Sequence, residues 1–428
     1  MKATNCMLAA SALCLLAMNA HAEVPIQIGL VTHLSGAAAG PFGIPARNGA
    51  ELVIDAINNG QMPAPYNTRG MAGRQIATTL LDEAGSPARI VTEVRSLVES
   101  VKPQAVIGFV TTGTCLAALP VLEELKTLTV LSTCGTPRVF EDNNFHYVFR
   151  TSANVTMDGV TAARYINNRM PELKNYAGIN QNFAFGQDSW RDFNLAMKGL
   201  KPSLSVSLEQ FPTVGAGQYG AEISALLSKR PEVTFSSFFG SDLEALVYQL
   251  VPRSLQRQTQ LVFSTGETAM FRLGNRLPDG AIISGRGPYG VFARDTELNR
   301  WFRSAYEKRY GDEPTYTAYH AAQAVLGLKI AYDHAAEKKG GQLPDTEEVM
   351  ADFRGLEYEA FGTKVRMSHD KGQQAVTESA IGVYRFDRET GRPGVTDVTY
   401  YSADCVNPPD GTKAVEWLSA GMPGAKCD

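Results

Sequence analysis

Residues 105–137 read AVIGFVTTGTCLAALPVLEELKTLTVLSTCGTP. Ala105 to Val110 is an apolar run of strand length, followed by the small, hydroxyl-bearing loop Thr111-Thr112-Gly113-Thr114. Leu116 to Lys126 then carries apolar residues at helical spacing, and Pro120 is expected to kink that helix or mark its start. Leu128 to Ser132 is a second strand-like run, closed by the loop Thr133-Cys134-Gly135-Thr136-Pro137. Strand, helix and strand with short links form a βαβ unit, which implies a parallel sheet.

The same alternation extends both ways. Upstream, Ile26 to Thr32 and Gln75 to Leu81 read as strands. A helix from about Pro45 to Asn58 lies between them, and Ser86-Pro87 caps another helix that ends at Lys102-Pro103. Downstream, Tyr147 to Arg150 is a short strand, after which the pattern restarts. Strands are expected near Tyr176 to Asn180, Leu204 to Phe211, Val233 to Phe239 and Leu261 to Thr265, with helices between. Trp301 to Ala336 is helical and Ser379 to Phe386 is a late strand. Two α/β lobes follow from this pattern, with crossings expected near Arg150, Gly280 and Gly355. Residues 23–150 plus about 281–355 would form lobe 1, residues 151–280 plus about 356–400 lobe 2, and residues 401–428 a tail.

The chain has 428 residues, too many for one ordinary core. Its first 22 residues read as a cleaved secretory signal peptide. Lys2 precedes an apolar run from Met7 to Met18, and Ala20-His21-Ala22 is a small-x-small cleavage site. Bulky Leu13 before Cys14 argues against a lipid anchor. With 40 Lys plus Arg against 44 Asp plus Glu and no basic block, nucleic acid is excluded as an expected partner. Cys115, Cys134, Cys405 and Cys427 remain after cleavage, an even number in an oxidising compartment. Of the three possible pairings, Cys115–Cys134 with Cys405–Cys427 closes the shortest loops.

Leu34-Ser35-Gly36, Gly43, Gly49-Ala50-Glu51 and Asp55-Ala56-Ile57-Asn58 are followed in order by Asp82, Val106-Ile107-Gly108, Phe149-Arg150-Thr151 and Phe185-Gly186. This series, from about Ile26 to Phe386, resembles the leucine/isoleucine/valine-binding proteins. These are type I periplasmic binding proteins that serve branched-chain amino acid ABC importers. The resemblance implies two Rossmann-like lobes with parallel sheets, a multi-strand hinge and a ligand cleft between the lobes. It places Val110, Thr112, Cys134 and Thr136 at the ligand's carboxylate. Thr111 and Gly135 share those loops, which lie beyond strand ends, where hydroxyls and helix N-termini favour anions. Phe42, Phe185, Phe239 and the loop Thr265-Gly266-Glu267 should close over the ligand, with Glu267 as the partner for an ammonium group. Phe185 stands where relatives often carry Tyr, so a hydroxyl is lost. The register of Glu267 departs from the family's acid by up to two residues, and an aromatic or aliphatic carboxylate lacking an amine would need no such acid. Core packing is the alternative role for Phe185 and Phe238, and helix capping for each Thr.

Gly285-Arg286-Gly287-Pro288-Tyr289-Gly290 matches a dinucleotide fingerprint, but Pro288 and the lack of a following helix mark it as a turn-rich crossing. His33, His146, His320, His334 and His369 are scattered, and no HExxH, CxxC or GxSxG spacing occurs. His33 is expected near the cleft. The expectation is a monomeric, non-enzymatic receptor without cofactor or metal, which binds a small carboxylate and feeds a membrane permease. A sensor on the same fold, passing its ligand to a regulatory partner, is the second reading.

Overall fold

The computed structural model describes residues 24–427, so the expected signal peptide lies outside the described residues. Fifteen strands occur among them. They are β1 (Ile26–Thr32), β2 (Ile76–Asp82), β3 (Ala105–Gly108), β4 (Thr129–Leu131), β5 (Val148–Arg150), β6 (Asn175–Ile179), β7 (Ser205–Gln210) and β8 (Val233–Ser236). The remainder are β9 (Gln260–Phe263), β10 (Ile282–Ser284), β11 (Glu357–Ala360), β12 (Thr363–Ser368), β13 (Gln374–Val376), β14 (Ser379–Asp387) and β15 (Arg392–Tyr401). The first sheet has the order β11-β12-β13-β5-β4-β3-β1-β2 and the second β15-β14-β10-β9-β8-β6-β7. β1 to β5 run parallel, as do β6 to β10. Central strands such as β3 and β4 are buried along their whole length, as a sheet covered on both faces requires.

Local chemistry explains the element boundaries. Ser86 Oγ accepts the Arg89 amide with Pro87 at the first helical position, opening the helix Pro87–Val101. Asn154 accepts the amides of Thr156 and Met157 and opens the first helix of the second lobe, Val155–Arg169. Gly49 lets the helix Ile44–Asn59 approach the helix Tyr316–Lys338, since a Cβ there would lie 2.8 Å from Ala318 Cα.

Two of the three expected crossings fall elsewhere. β10 pairs with β9 and β14, so the second crossing begins after Ser284 rather than at Gly280. β11, β12 and β13 extend the first sheet beside β5, where Gln374 faces Arg150. The third crossing therefore lies between Val376 and Ser379, not near Gly355. These strands are short and joined by tight links, so no helix-length gap announces them. The helix Thr112–Glu124 begins at Thr112 rather than Leu116 and runs through Pro120. That places Thr112 and Thr114 in its first turn instead of in a loop.

Cys115 is bonded to Cys134 and Cys405 to Cys427. The tail does more than follow lobe 2. Trp417, Leu418 and Met422 pack in a core with Trp190 and Met197 of that lobe. Asp404 pairs with Arg366 at 2.8 Å, Asp410 accepts from Ser368 at 2.8 Å, and the Ala414 amide donates to Glu141 at 2.8 Å, all on the first lobe. Replacing both Cys405 and Cys427 with Ser is expected to cost about 3 kcal/mol by freeing a loop of this size in the unfolded chain. Urea unfolding measures that loss. Ligand affinity should stay within a few-fold, because neither cysteine borders the cleft.

Candidate functional site

The two sheets present the carboxyl ends of their strands to one another, the place where open α/β sheets bind ligands. A narrow cavity, open to solvent on one side, lies there. From the first lobe it is lined by Phe42, Val110, Thr111, Thr112, Thr133 and Tyr316. The second lobe contributes Phe183, Phe185, Phe239 and Thr265, and Arg286 reaches in from the second crossing. Most of these residues sit one to four positions beyond the end of β3, β4, β6, β8, β9 or β10.

The apolar part is a cluster of rings. Phe42 meets Phe239 across the cleft edge-on at 5.3 Å, and Phe239 also meets Phe183 at 5.8 Å and Phe185 at 5.9 Å. Such geometry suits a flat apolar body held between ring faces and edges. The lobes touch at this point, so Phe42 and Phe239 are neighbours only when the cleft is shut.

The polar part faces it. Phe109, ahead of the Val110–Thr112 segment, is buried with φ at 68°, a left-handed conformation that a bulky residue adopts only under constraint. Glu83 supplies that constraint. Its carboxylate accepts the amides of Val110 at 2.7 Å and Thr111 at 2.9 Å, and the Thr114 hydroxyl as well. Burial pushes the Glu83 carboxyl up, while His33 at 3.8 Å and these hydrogen bonds pull it back. The Val110 and Thr111 amides are thus spent on Glu83. Thr112 Oγ1 and Thr133 Oγ1 are both buried and both without a protein hydrogen-bond partner.

Arg286 completes the wall. Its Nε donates to Asp158 at 2.8 Å, Nη1 to the Thr133 carbonyl at 3.2 Å and Nη2 to the Ala153 carbonyl at 3.1 Å. Its guanidinium lies 5.7 Å from the Phe185 ring and 5.8 Å from the Tyr316 ring. Burial works against this charge, and Asp158 and Tyr316 together more than offset it, so Arg286 stays cationic. Its φ of 50° is a second left-handed residue at the site. Gly135 makes room for it: a Cβ there would lie 2.5 Å from Arg286 Nη2 and 3.3 Å from the Phe185 ring.

Of the ten residues expected at the site, Phe42, Val110, Thr111, Thr112, Phe185 and Phe239 line the cavity. Gly135 stands just behind it. Cys134 does not face it, because its sulfur is bonded to Cys115 and its carbonyl accepts from Arg150. Thr136 turns away: its hydroxyl donates to Asp188 at 2.9 Å and accepts the Arg138 amide. Glu267 lies behind Tyr316, whose amide it accepts at 3.0 Å, and burial pushes its carboxyl up to about 8. It does not border the cavity. His33 also stands outside, against Glu83. Thr133, Phe183, Arg286 and Tyr316 were missed. Phe183 lies two residues from a chosen ring and Thr133 one residue from a chosen loop position. Arg286 lies in the turn-rich crossing at residues 285–290, and a cation in a hinge crossing is a usable sequence signal. Tyr316, far along the chain, left no sign. Among the described residues, no group of three His, Cys, Asp or Glu is placed to hold a metal ion.

A family model described as "Periplasmic binding protein" matches residues 25–390. The chain is 26% identical over 236 residues to a Leu/Ile/Val-binding protein homolog 3 of Brucella melitensis, 55% of this chain and 60% of that protein. It thus spans about 60% of the length of the curated relatives it matches. Its fold is similar to a solute binding protein of an ABC transporter from Rhodopseudomonas palustris BisB5 in complex with 3,4-dihydroxy benzoic acid. That likeness has a TM-score of 0.75 at 18% identity, over 89% of this chain and 98% of the other. An amino acid ABC transporter substrate-binding protein from Pseudomonas fluorescens Pf-5 is similar with a TM-score of 0.76 at 17% identity, over 95% and 100%.

Proposed function

Because the chain belongs to the periplasmic binding protein family, we propose that it is an exported solute receptor. It captures a small carboxylate-bearing molecule in the interlobe cavity and delivers it to the permease of an ABC importer. The observation that carries this reading is the pair of buried, unbonded hydroxyls of Thr112 and Thr133 beside the Arg286 guanidinium. A buried hydroxyl left without a partner costs about 1–3 kcal/mol, and an anion lying against both would recover that cost. Hydrogen bonds to a charged group are the stronger kind. The apolar rings opposite would hold the ligand's body.

The mechanism is closure. Ligand docks on the first lobe at Thr112 and Thr133, and the second lobe folds over it, bringing Phe239 onto Phe42. Ligand that touches both lobes only in the closed form shifts a pre-existing open–closed equilibrium toward closure. Cys115–Cys134 ties the helix bearing Thr112 to the loop bearing Thr133 and keeps the two hydroxyls in register. The similar proteins are named as binding proteins, and the role proposed is capture without turnover. Export rests on residues 1–22 as a leader cleaved after Ala22. Among the described residues no helix is long and apolar enough to cross a membrane. The receptor works as a single copy.

Mass spectrometry of the small molecule that co-purifies, followed by a thermal-shift panel, tests this. The panel holds Leu, Val, Phe, benzoate-type acids and short amides. Native-state ligands raise the midpoint. At least one carboxylate should do so; a rise with neutral amides and none with any carboxylate would sink the reading.

A further inference from the structure

We infer that the cavity accepts amine-free aromatic carboxylates and rejects the α-amino acids of the same shape, because the charge built into its wall is a cation. The inference rests on the carboxylate reading above and names the substrate class of that site.

An α-amino acid brings an ammonium group together with its carboxylate. A buried ammonium needs an anion or several free acceptors, otherwise it forfeits its hydration. Among the described residues, no carboxylate borders this cavity. The three nearby acids are each committed elsewhere. Asp158 is paired with Arg286 at 2.8 Å. Glu83 holds the Val110 and Thr111 amides from behind their loop. Glu267 sits behind Tyr316, accepts that residue's amide, and is held largely uncharged at neutral pH by burial.

The aromatic walls do not replace an acid. A cation over a ring gains about 0.5–2 kcal/mol, less than an ammonium loses on burial. The Phe185 and Tyr316 rings already face the Arg286 guanidinium. Phe42 and Phe183 direct themselves at Phe239. Arg286 itself repels a second cation in this small space, where screening by water is weak. The Thr133 carbonyl on the polar wall is taken by Arg286, and the Thr112 and Thr133 hydroxyls are neutral acceptors that do not replace an anion for a buried ammonium. A flat carboxylate with no amine meets none of these penalties: its head faces two hydroxyls and a guanidinium, its body the rings.

The test is calorimetric titration of the full mature chain, freed of co-purified ligand by unfolding and refolding. Benzoate, 3-phenylpropanoate, phenylalanine and 2-phenylethylamine are compared. Phenylalanine and 3-phenylpropanoate differ only by the amine. Phenylpropanoate or benzoate should bind at least about 100-fold more tightly than phenylalanine, the equivalent of one unpaired buried charge. Phenylethylamine should not bind. Phenylalanine within ten-fold of the better acid would overturn the inference and leave carboxylate capture standing. Binding of phenylethylamine alone would overturn both, and binding of none of the four would overturn the inference alone.

Discussion

Arg286→Met is expected to abolish measurable ligand binding and to cost the fold about 3–5 kcal/mol, the penalty for stranding one member of a buried ion pair. Asp158 is the member stranded. It is 4% exposed, its second oxygen has no partner, and burial pushes its carboxyl up while Arg286 pulls it back. The guanidinium also joins the Thr133 and Ala153 carbonyls, one on each lobe's side of the hinge. Losing it therefore loosens both the anion site and the crossing. Arg286→Met with Asp158→Leu separates the two effects. Urea unfolding should show stability largely restored, since apolar pairs replace buried ion pairs at little net cost. Calorimetry should show binding still absent. Restored binding in the double variant would remove Arg286 from the site.

Glu267→Gln is expected to flatten the pH dependence of stability. The folded carboxyl titrates at about 8 against an ordinary 4.5, because it is fully buried with one oxygen unbonded and Glu313 adds to the rise. Between those values the native state keeps a proton that the unfolded chain has released. The native state binds more protons, so stability falls as pH rises through this window. The loss is complete above pH 8 and absent below 4.5. Its size is roughly 3–5 kcal/mol for a shift of this magnitude. Gln keeps an oxygen for the Tyr316 amide and carries no charge. Urea unfolding at pH 5 and pH 8.5 should show wild type losing far more stability between the two than the variant does. Equal losses would mean that Glu267 is not the buried acid described.

The alternation of strand and helix carried most of the fold, because apolar period reports burial directly. The run from Ala105 to Ser132 shows it: strand, helix and strand occur in that order, displaced mainly at the helix start. β11 to β13 were illegible for a physical reason. Their alternation spans only a few residues, and the links between them carry no more than the single helical turn His369–Gly372. At the site, loops beyond strand ends located Thr111 and Thr112, and the family resemblance added Phe42, Val110, Phe185 and Phe239. It failed for Thr136, where a hydroxyl in the right kind of loop is consumed by Asp188 across the cleft. It failed for Glu267, whose buried carboxyl lies behind Tyr316 and accepts that residue's amide. Side-chain direction in a loop depends on partners distant in sequence, and one chain alone does not reveal them. Arg286 is the clearest case: its three acceptors are Asp158, Thr133 and Ala153, all more than a hundred residues away.

Thr112→Val with Thr133→Val tests the central claim, that two unbonded hydroxyls on the first lobe hold a ligand carboxylate. Both substitutions keep shape and remove an oxygen that has no protein partner, so the fold should hold or gain slightly. Titration of the tightest carboxylate from the panel into wild type and double variant gives the answer. Each lost bond to a charged group is worth about 1.5–3 kcal/mol, so affinity should fall by roughly 100-fold or more while the melting midpoint without ligand holds or rises. An unchanged affinity in the folded double variant would place the carboxylate elsewhere and contradict the account.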